Sequence, residues 1–276
     1  MPTVSKFIPA LWSAKILENL DKELVFSSLF NTDYEGEITE AGDTVHIGQI
    51  GNVAISDYDA STGLGNAEEV TVWDYTLKVD QTKAFNISVG DITAVQSKLN
   101  LLDAATQRAG YAFADACDQY LAGLVSTEAN LVSTDTFAVT KENAYEILVK
   151  MKTQLDKNNV PKQERVAIVP PEFEGFMLMD PRFVAVATNA SDERLTEGSV
   201  YKAAGFTVKV SNNCVAAENA TTIVAGSPVQ GTFAQQILKT EAYRPEKFFA
   251  DAVKGLHVYG AAVLDSKALA GAKVSF

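Results

Sequence analysis

Residues 68–91, EEVTVWDYTLKVDQTKAFNISVGD, carry bulky apolar groups on every second position: Trp73, Tyr75, Leu77 and Val79, then Phe85, Ile87 and Val89. A period of two predicts a strand with one apolar face. A second run, GDTVHIGQIGNVAIS, lies upstream with Val45, Ile47, Val53 and Ile55. Between the two runs, SDYDASTGLGNAEE is rich in Asp, Ser, Gly and Asn, the residues of loop tips. The pattern therefore predicts a long hairpin over residues 36–90, entered past Gly36 and Gly42. A two-stranded hairpin is marginal alone in water, so its apolar side chains need a cover from elsewhere.

The flanking patterns differ. Residues 1–35 read as an arm: Pro2 and Pro9 favour extended chain, and Leu11, Ile16, Leu20 and Leu24 then fall near helical spacing. A terminus this apolar is expected to lie against a surface. From Asp91 to about residue 125, Val95, Leu99, Leu102, Ala105, Ala109, Ala112, Ala116, Tyr120 and Leu124 step by three or four. That spacing predicts one continuous helix, about 50 Å long at 1.5 Å per residue.

Beyond about residue 136 helices and strands alternate. TKENAYEILVKMKTQLDKNNVP predicts a helix with Thr140 as N-cap, a buried face of Ala144, Ile147, Leu148, Met151 and Leu155, and a stop at Pro161. RVAIVPP predicts a short buried strand, with a helical turn starting at Pro170 and Pro171. GSVYKAAGFTVKVSNN predicts a helix ended by Gly205 and a strand over Phe206–Val210, and TTIVAG a further strand. The tail, GTFAQQILKTEAYRPEKFFADAVKGLHVYGAAVL, is strand-like with a break at Pro245.

Composition narrows the function classes. The chain has 276 residues, 47% hydrophobic and 21% charged, enough for one large core or two ordinary domains. No apolar stretch reaches the ~18–20 residues of a membrane span, and the start, with only Lys6 before its short apolar run, does not read as a signal peptide. A net charge of -12 argues against a dedicated nucleic-acid binder. Cys117 and Cys214, the only cysteines, form no CxxC pair and read as buried free thiols.

Catalytic patterns fail together. His46 and His257 are the only histidines and sit in strands outside any metal-ligand spacing, and there is no GxSxG elbow. The glycines of TGLGN, Gly63 and Gly65, lack the third glycine and the strand-to-helix context of a nucleotide cradle. Asp57, Asp59, Glu68, Glu69, Asp192 and Glu193 lie in loop-like stretches. A glycosidase pair or a divalent-ion site draws on such groups, but their spacing supports neither, and a solvated loop face is the simpler reading.

The order of apolar arm, projecting hairpin, long helix, α/β unit and late strands resembles the HK97-fold family, the major capsid proteins of tailed bacteriophages. The resemblance is carried by FIPALWSAKILENLDKELVFSSLFNTDYEGEITEAGDTVHI, by GSVYKAAGFTVKVSNN and by ILKTEAYRPEKFFADAVKGLHVYGAAVL. It implies an α+β fold with an N-terminal arm (1–35) and an extended loop, the E-loop (36–90). A peripheral domain with the spine helix would take 91–135 and 230–264. An axial α/β domain would take 136–229 and 265–276.

The resemblance also implies a job: a structural protein that assembles into hexamers and pentamers of an icosahedral head around double-stranded DNA. It would be built in the host bacterial cytoplasm and reside in the virion. On this reading Trp73, Tyr75, Leu77, Val79 and Phe85 of the E-loop and Phe7, Leu11 and Trp12 of the arm touch neighbouring subunits. The implied partners are further copies, a separate scaffolding protein, a portal and decoration proteins, with no cofactor, no metal, no catalytic residue and no membrane. Lys78 and Lys83 lie in the hairpin without a motif for the covalent cross-links of some family members. Encapsulins, shell proteins of enzyme-filled compartments, share the fold and are one alternative; a phage tail or neck protein is another. A soluble α/β hydrolase using the acidic loops is an alternative of a different class.

Overall fold

The computed structural model describes residues 24–34, 44–50, 55, 69, 71–90, 101–180, 202–217, 219–247 and 249–276. The arm residues Phe7, Leu11 and Trp12, most of the hairpin tip, the first turns expected of the long helix and residues 181–201 lie outside them. The fold is mixed α+β, with a hairpin, a three-stranded sheet and an eight-stranded sheet.

The hairpin pairs β1 (Thr44–Ile50) with β2 (Val72–Lys78) antiparallel, Thr44 opposite Lys78 and Ile50 opposite Val72. The expected descending limb does not continue to residue 90. It breaks at Val79–Asp80, and β3 (Gln81–Gly90) passes to a different sheet, pairing antiparallel with β12 (Ala250–Val263). Alternation persists across the break because both strands have one apolar face; periodicity records the face and not the sheet it joins. β12 also pairs with β11 (Gly231–Tyr243), giving the order β11–β12–β3. The chain leaves β11 just before Pro245, where a ladder N–H would be missing.

A long helix, α1 (Leu101–Glu128), follows β3. Its buried side carries Ala109, Phe113, Cys117, Leu121 and Val125. The stripe expected from sequence is rotated from this: Ala112 is exposed, and Ala116, Tyr120 and Leu124 are half-buried. Alanines on several sides of α1 blur the apolar stripe, and the larger Phe113, Leu121 and Val125 decide which side goes inward.

Two short strands, β4 (Asn130–Leu131) and β5 (Phe137–Ala138), lead to α2 (Ala144–Lys157), whose buried face is Ala144, Ile147, Leu148, Met151 and Leu155, as its spacing predicts. The N-cap position is Asn143 rather than Thr140: a turn precedes the helix, closed by the Thr140 backbone N–H donating to Asn143 Oδ1 at 2.7 Å. β6 (Val166–Val169) is buried at all four positions, and α3 (Pro171–Met179) starts on a proline, whose missing N–H costs nothing there.

The expected helix ending at Gly205 is instead, over its described part, a tight hairpin. β7 (Lys202–Ala203) pairs with β8 (Phe206–Val210) across Ala204 and Gly205, both at positive φ (50° and 85°), as in a two-residue type I′ turn. Glycine after a small residue suits a helix end and a type I′ turn equally, which is why the sequence misleads here.

The remaining strands are β9 (Ala216–Ala217), β10 (Ala220–Gly226) and β13 (Leu269–Ser275). The sheet order is β4–β13–β10–β6–β8–β7, so the C-terminal strand lies inside the sheet. Both faces of this sheet are covered. Ala167, Val169, Ile223, Ala225, Ala270 and Ala272 face a core with α2 and α3. Val166, Ile168, Val224 and Leu269 face a second core with α1. That second core also takes Phe233, Tyr259 and Ala261 from the three-stranded sheet, so α1 is packed by both sheets.

The opposite face of the three-stranded sheet, with Ala234 and Val258, packs against Val45, Ile47, Leu77 and Val79 of the hairpin root. Glycine makes this crossing possible. A Cβ at Gly260 would strike the Lys78 carbonyl oxygen and come within 2.8 Å of Val79 Cα. Gly260→Ala is expected to displace the root and cost about 1–3 kcal/mol in urea unfolding. Gly123→Ala in α1, where a Cβ meets nothing within 4 Å, is expected to stabilise by roughly 0.5–1 kcal/mol.

Candidate assembly interface

On β2 the apolar face runs Trp73, Tyr75, Leu77, with Val79 just past the strand end. Exposure along it falls from 57% at Trp73, through half-buried Tyr75, to 0% at Leu77 and 1% at Val79. The same face is thus sealed at its root by the chain's own three-stranded sheet and uncovered farther out. Val72, on the other face opposite Ile50, is 61% exposed.

This divides the residues expected to meet a neighbour. Trp73 and part of Tyr75 are free to do so. Leu77 and Val79 are not, because Ala234 and Val258 already cover them. Phe85 belongs to β3 and leans on α1, its ring 5.4 Å from that of Phe113. Alternation shows which residues share a face and is silent on what covers it. Val72 was missed because it falls on the polar phase of the alternation. Of the acidic candidates, Glu69 is exposed, while Asp57, Asp59, Glu68, Asp192 and Glu193 lie outside the described residues.

The root of the N-terminal segment is fastened by polar groups as well as by buried Phe26, Leu29 and Phe30. Asp118 of α1, 2% exposed, accepts the backbone N–H of Phe26 (2.8 Å) and of Val25 (3.0 Å) on one carboxylate oxygen. The other oxygen accepts Asn213 Nδ2 (3.2 Å) and Ser211 Oγ (3.3 Å). Burial holds the Asp118 pKa above the usual carboxylate value, and these four donors offset only part of that rise. Ser211 and Asn213 belong to the SNN end of the GFTVKVSNN stretch, so that loose motif has a physical role: it joins the loop after β8 to α1. Gln230 Nε2 donates to the Leu29 carbonyl at 2.6 Å, and Asn31 bridges to the edge of β11 at Thr232.

Among the described residues, the remaining titratable groups offer no reactive constellation. His46 Nδ1 lies 2.9 Å from Asp74 Oδ2 on the open hairpin surface. His257 is fully buried between the rings of Phe113 (5.3 Å) and Tyr259 (5.0 Å), and neither ring nitrogen has a hydrogen-bond partner among the described residues. Burial lowers its pKa to about 4. Cys117 and Cys214 are buried free thiols; burial, with Asp118 nearby, pushes Cys117 up strongly and Cys214 to about 12, away from thiolate chemistry. Among the described residues no group of three or more His, Cys, Asp or Glu is placed to hold a metal ion, and no helix is long and apolar enough to cross a membrane.

A projecting hairpin, a long helix packed by two sheets and an α/β sheet covered on both faces define an HK97-like capsid subunit. The sequence model of a phage capsid protein family matches residues 74–274, and the chain belongs to that family. Among solved structures, a chain from Mycobacterium phage Che8 is 26% identical over 90% of both chains, with a TM-score of 0.76. The capsid of cyanophage P-SCSP1u is 15% identical over 91% of this chain and 88% of that one, with a TM-score of 0.70. A virus-like particle from Pyrococcus furiosus, 12% identical over 95% and 97%, has a TM-score of 0.61 and shares the fold. No curated protein matches. The chain is a structural protein, a phage major capsid protein of the virion, and not an enzyme; the compartment-shell and hydrolase alternatives are not favoured.

Two measurements check the local physics. The folded His257 pKa of about 4 lies below the ordinary value of 6.5. The unfolded chain therefore binds the extra proton first as pH falls, and stability present above pH 6.5 is lost down to pH 4. The wild-type protein should lose about 3 kcal/mol more than His257→Leu across that window in urea unfolding. Asp118→Ala strands two backbone N–H groups, and a loss of about 2–4 kcal/mol is expected, against about 0.5 kcal/mol or less for Trp73→Ser on the open hairpin.

Proposed function

We propose that this chain builds the icosahedral phage head from hexamers and pentamers of itself, enclosing double-stranded DNA without sequence-specific binding. In this reading the eight-stranded unit is the axial domain, and α1 with the three-stranded sheet is the peripheral domain. The distal hairpin is the E-loop that lies on a neighbouring subunit. The arm, through Phe7, Leu11 and Trp12, touches neighbouring subunits. Assembly takes place in the host bacterial cytoplasm with a separate scaffolding protein and a portal; decoration proteins are further partners.

One observation carries the reading: an apolar hairpin face that its own sheet covers at Leu77 and leaves open at Trp73. Covering Trp73, Val72 and the open part of Tyr75, at about 1.5–3 kcal/mol each, gives a gross gain of roughly 5 kcal/mol before ordering costs. The gain is small for one contact but recurs at every subunit of a closed shell. Acidic excess suits a container whose DNA must slide during filling, since a basic lining would hold phosphates in place.

Electron microscopy of the purified chain tests the reading: closed icosahedral particles or five- and six-membered rings are expected, and monomers at every concentration and salt would overturn it. Removing residues 56–68 is expected to leave the circular-dichroism spectrum and unfolding midpoint of the subunit intact while abolishing particles. Shells of the shortened chain as heat-resistant as the full-length ones would remove the hairpin from the account.

A further inference from the structure

The eight-stranded sheet changes character along the face that packs on α1. Val224 of β10 and Leu269 of β13 are buried there in the α1 core. Farther out on the same two strands Thr222 lies opposite Lys273, and Ser275 follows on the same face. With Thr136 and Asn219 these side chains line an open groove of about 560 Å³. Lys273, Thr222 and Ser275 are half-buried. All five side chains carry hydrogen-bond donors: an ammonium, three hydroxyls and an amide. Among the described residues no hydrogen bond or ion pair engages any of them. Nor does a described carboxylate side chain line the groove. Asp135, beside Thr136, is exposed and not part of the lining, and Glu218 lies outside the described residues.

We propose that this groove binds the phosphate group of a nucleic-acid backbone, with Lys273 as its charge and the hydroxyls of Thr222, Ser275 and Thr136 as further donors. The shell reading above supplies the source of the strand, the enclosed double-stranded DNA; the phosphate chemistry stands on the groove itself. A phosphodiester is negative and presents acceptor oxygens, so it satisfies an ammonium and several hydroxyls at once. An apolar occupant would leave them unpaired. Size favours a strand over a bare ion. The volume falls within the ~300–1,000 Å³ of pockets that hold organic ligands, which suits a sugar–phosphate segment.

The acidic excess of the chain does not oppose this. Residues 1–130 hold 19 Asp and Glu against 7 Lys and Arg, whereas residues 131–276 hold 16 of each. The net charge of -12 thus belongs to the arm, hairpin and α1 stretch, and the stretch that supplies the groove is neutral. Exposed charges more than ~8 Å away are largely screened at physiological salt, so the donors of the groove decide locally. One lysine per copy makes one phosphate contact, which is weak and salt-sensitive. A strand can break it and slide on, and the same contact recurs at every subunit.

Two experiments on the full chain decide the matter. The first titrates dissociated subunits with short DNA duplexes of several sequences. Lys273→Gln is expected to weaken binding about five- to tenfold at ~0.1 M salt, alike for every sequence, and to lower the slope of log affinity against log salt by about 0.9. Lys202→Gln makes the same charge change on the exposed edge strand β7 and is expected to alter neither. Equal losses from the two variants would mean diffuse attraction and overturn the site. The second experiment needs no variant. Lysine acetylation, read by mass spectrometry, is expected to spare Lys273 in DNA-filled particles and to reach it in empty ones. Equal reactivity in both would overturn the site and leave the shell reading standing. On free subunits the duplex is expected to protect Lys273 at phosphate concentrations where inorganic phosphate, and poly-glutamate at matched charge, do not. Equal protection by inorganic phosphate would assign the groove to the free ion, and by poly-glutamate to an acidic peptide; either result overturns the strand as ligand. Absence of particles would overturn the shell reading, and the subunit titration would still decide the groove.

Discussion

Burial of α1 by two sheets is the constraint on which the rest of this subunit depends. The helix presents Phe113, Cys117, Leu121 and Val125 to a core built by the eight-stranded sheet, the three-stranded sheet and the N-terminal segment together. Inside that core sits Asp118, a carboxylate with neutral donors from the N-terminal segment and from the loop after β8, and no cation bonded to it among the described residues. Such a group tolerates little displacement of its partners, because each lost donor leaves buried charge less compensated. The apolar core therefore supplies cohesion, and Asp118 sets where the N-terminal segment and the loop after β8 must lie.

From that frame the hairpin projects as a two-part device. Its root is part of the subunit's own fold, admitted by the missing side chain at Gly260 and sealed by Ala234 and Val258. Farther out, Trp73 continues the same apolar face and stands exposed. Root burial holds the hairpin in position, so less ordering cost falls on the contact between copies. The acidic tip and net charge add mutual repulsion, which keeps free subunits apart and makes assembly sensitive to salt.

Much of this was legible in the sequence. The five inward residues of α2, the buried run Val166–Val169, the proline start of α3 and the break before Pro245 follow from spacing and from what proline cannot do. Failures came where one local pattern serves two structures. Ala204–Gly205 reads as a helix end and is a type I′ turn. The alanine-rich α1 suggests a stripe through Ala112 and Tyr120, while Phe113 and Leu121 are the residues turned inward. Asn143 takes the cap position expected of Thr140 because a turn of the preceding chain is closed by the Asn143 side chain itself.

By itself the sequence determined most of the element types, their order and the capsid architecture that this order implies, because periodicity and turn chemistry act over a few residues. Only the tertiary structure decided which half of the hairpin is spoken for. Leu77 and Trp73 are equivalent in the alternation, and they differ because the three-stranded sheet, assembled from β11, β12 and β3, reaches one and not the other. Cover is a property of distant strands brought together, and no local pattern encodes where a sheet ends.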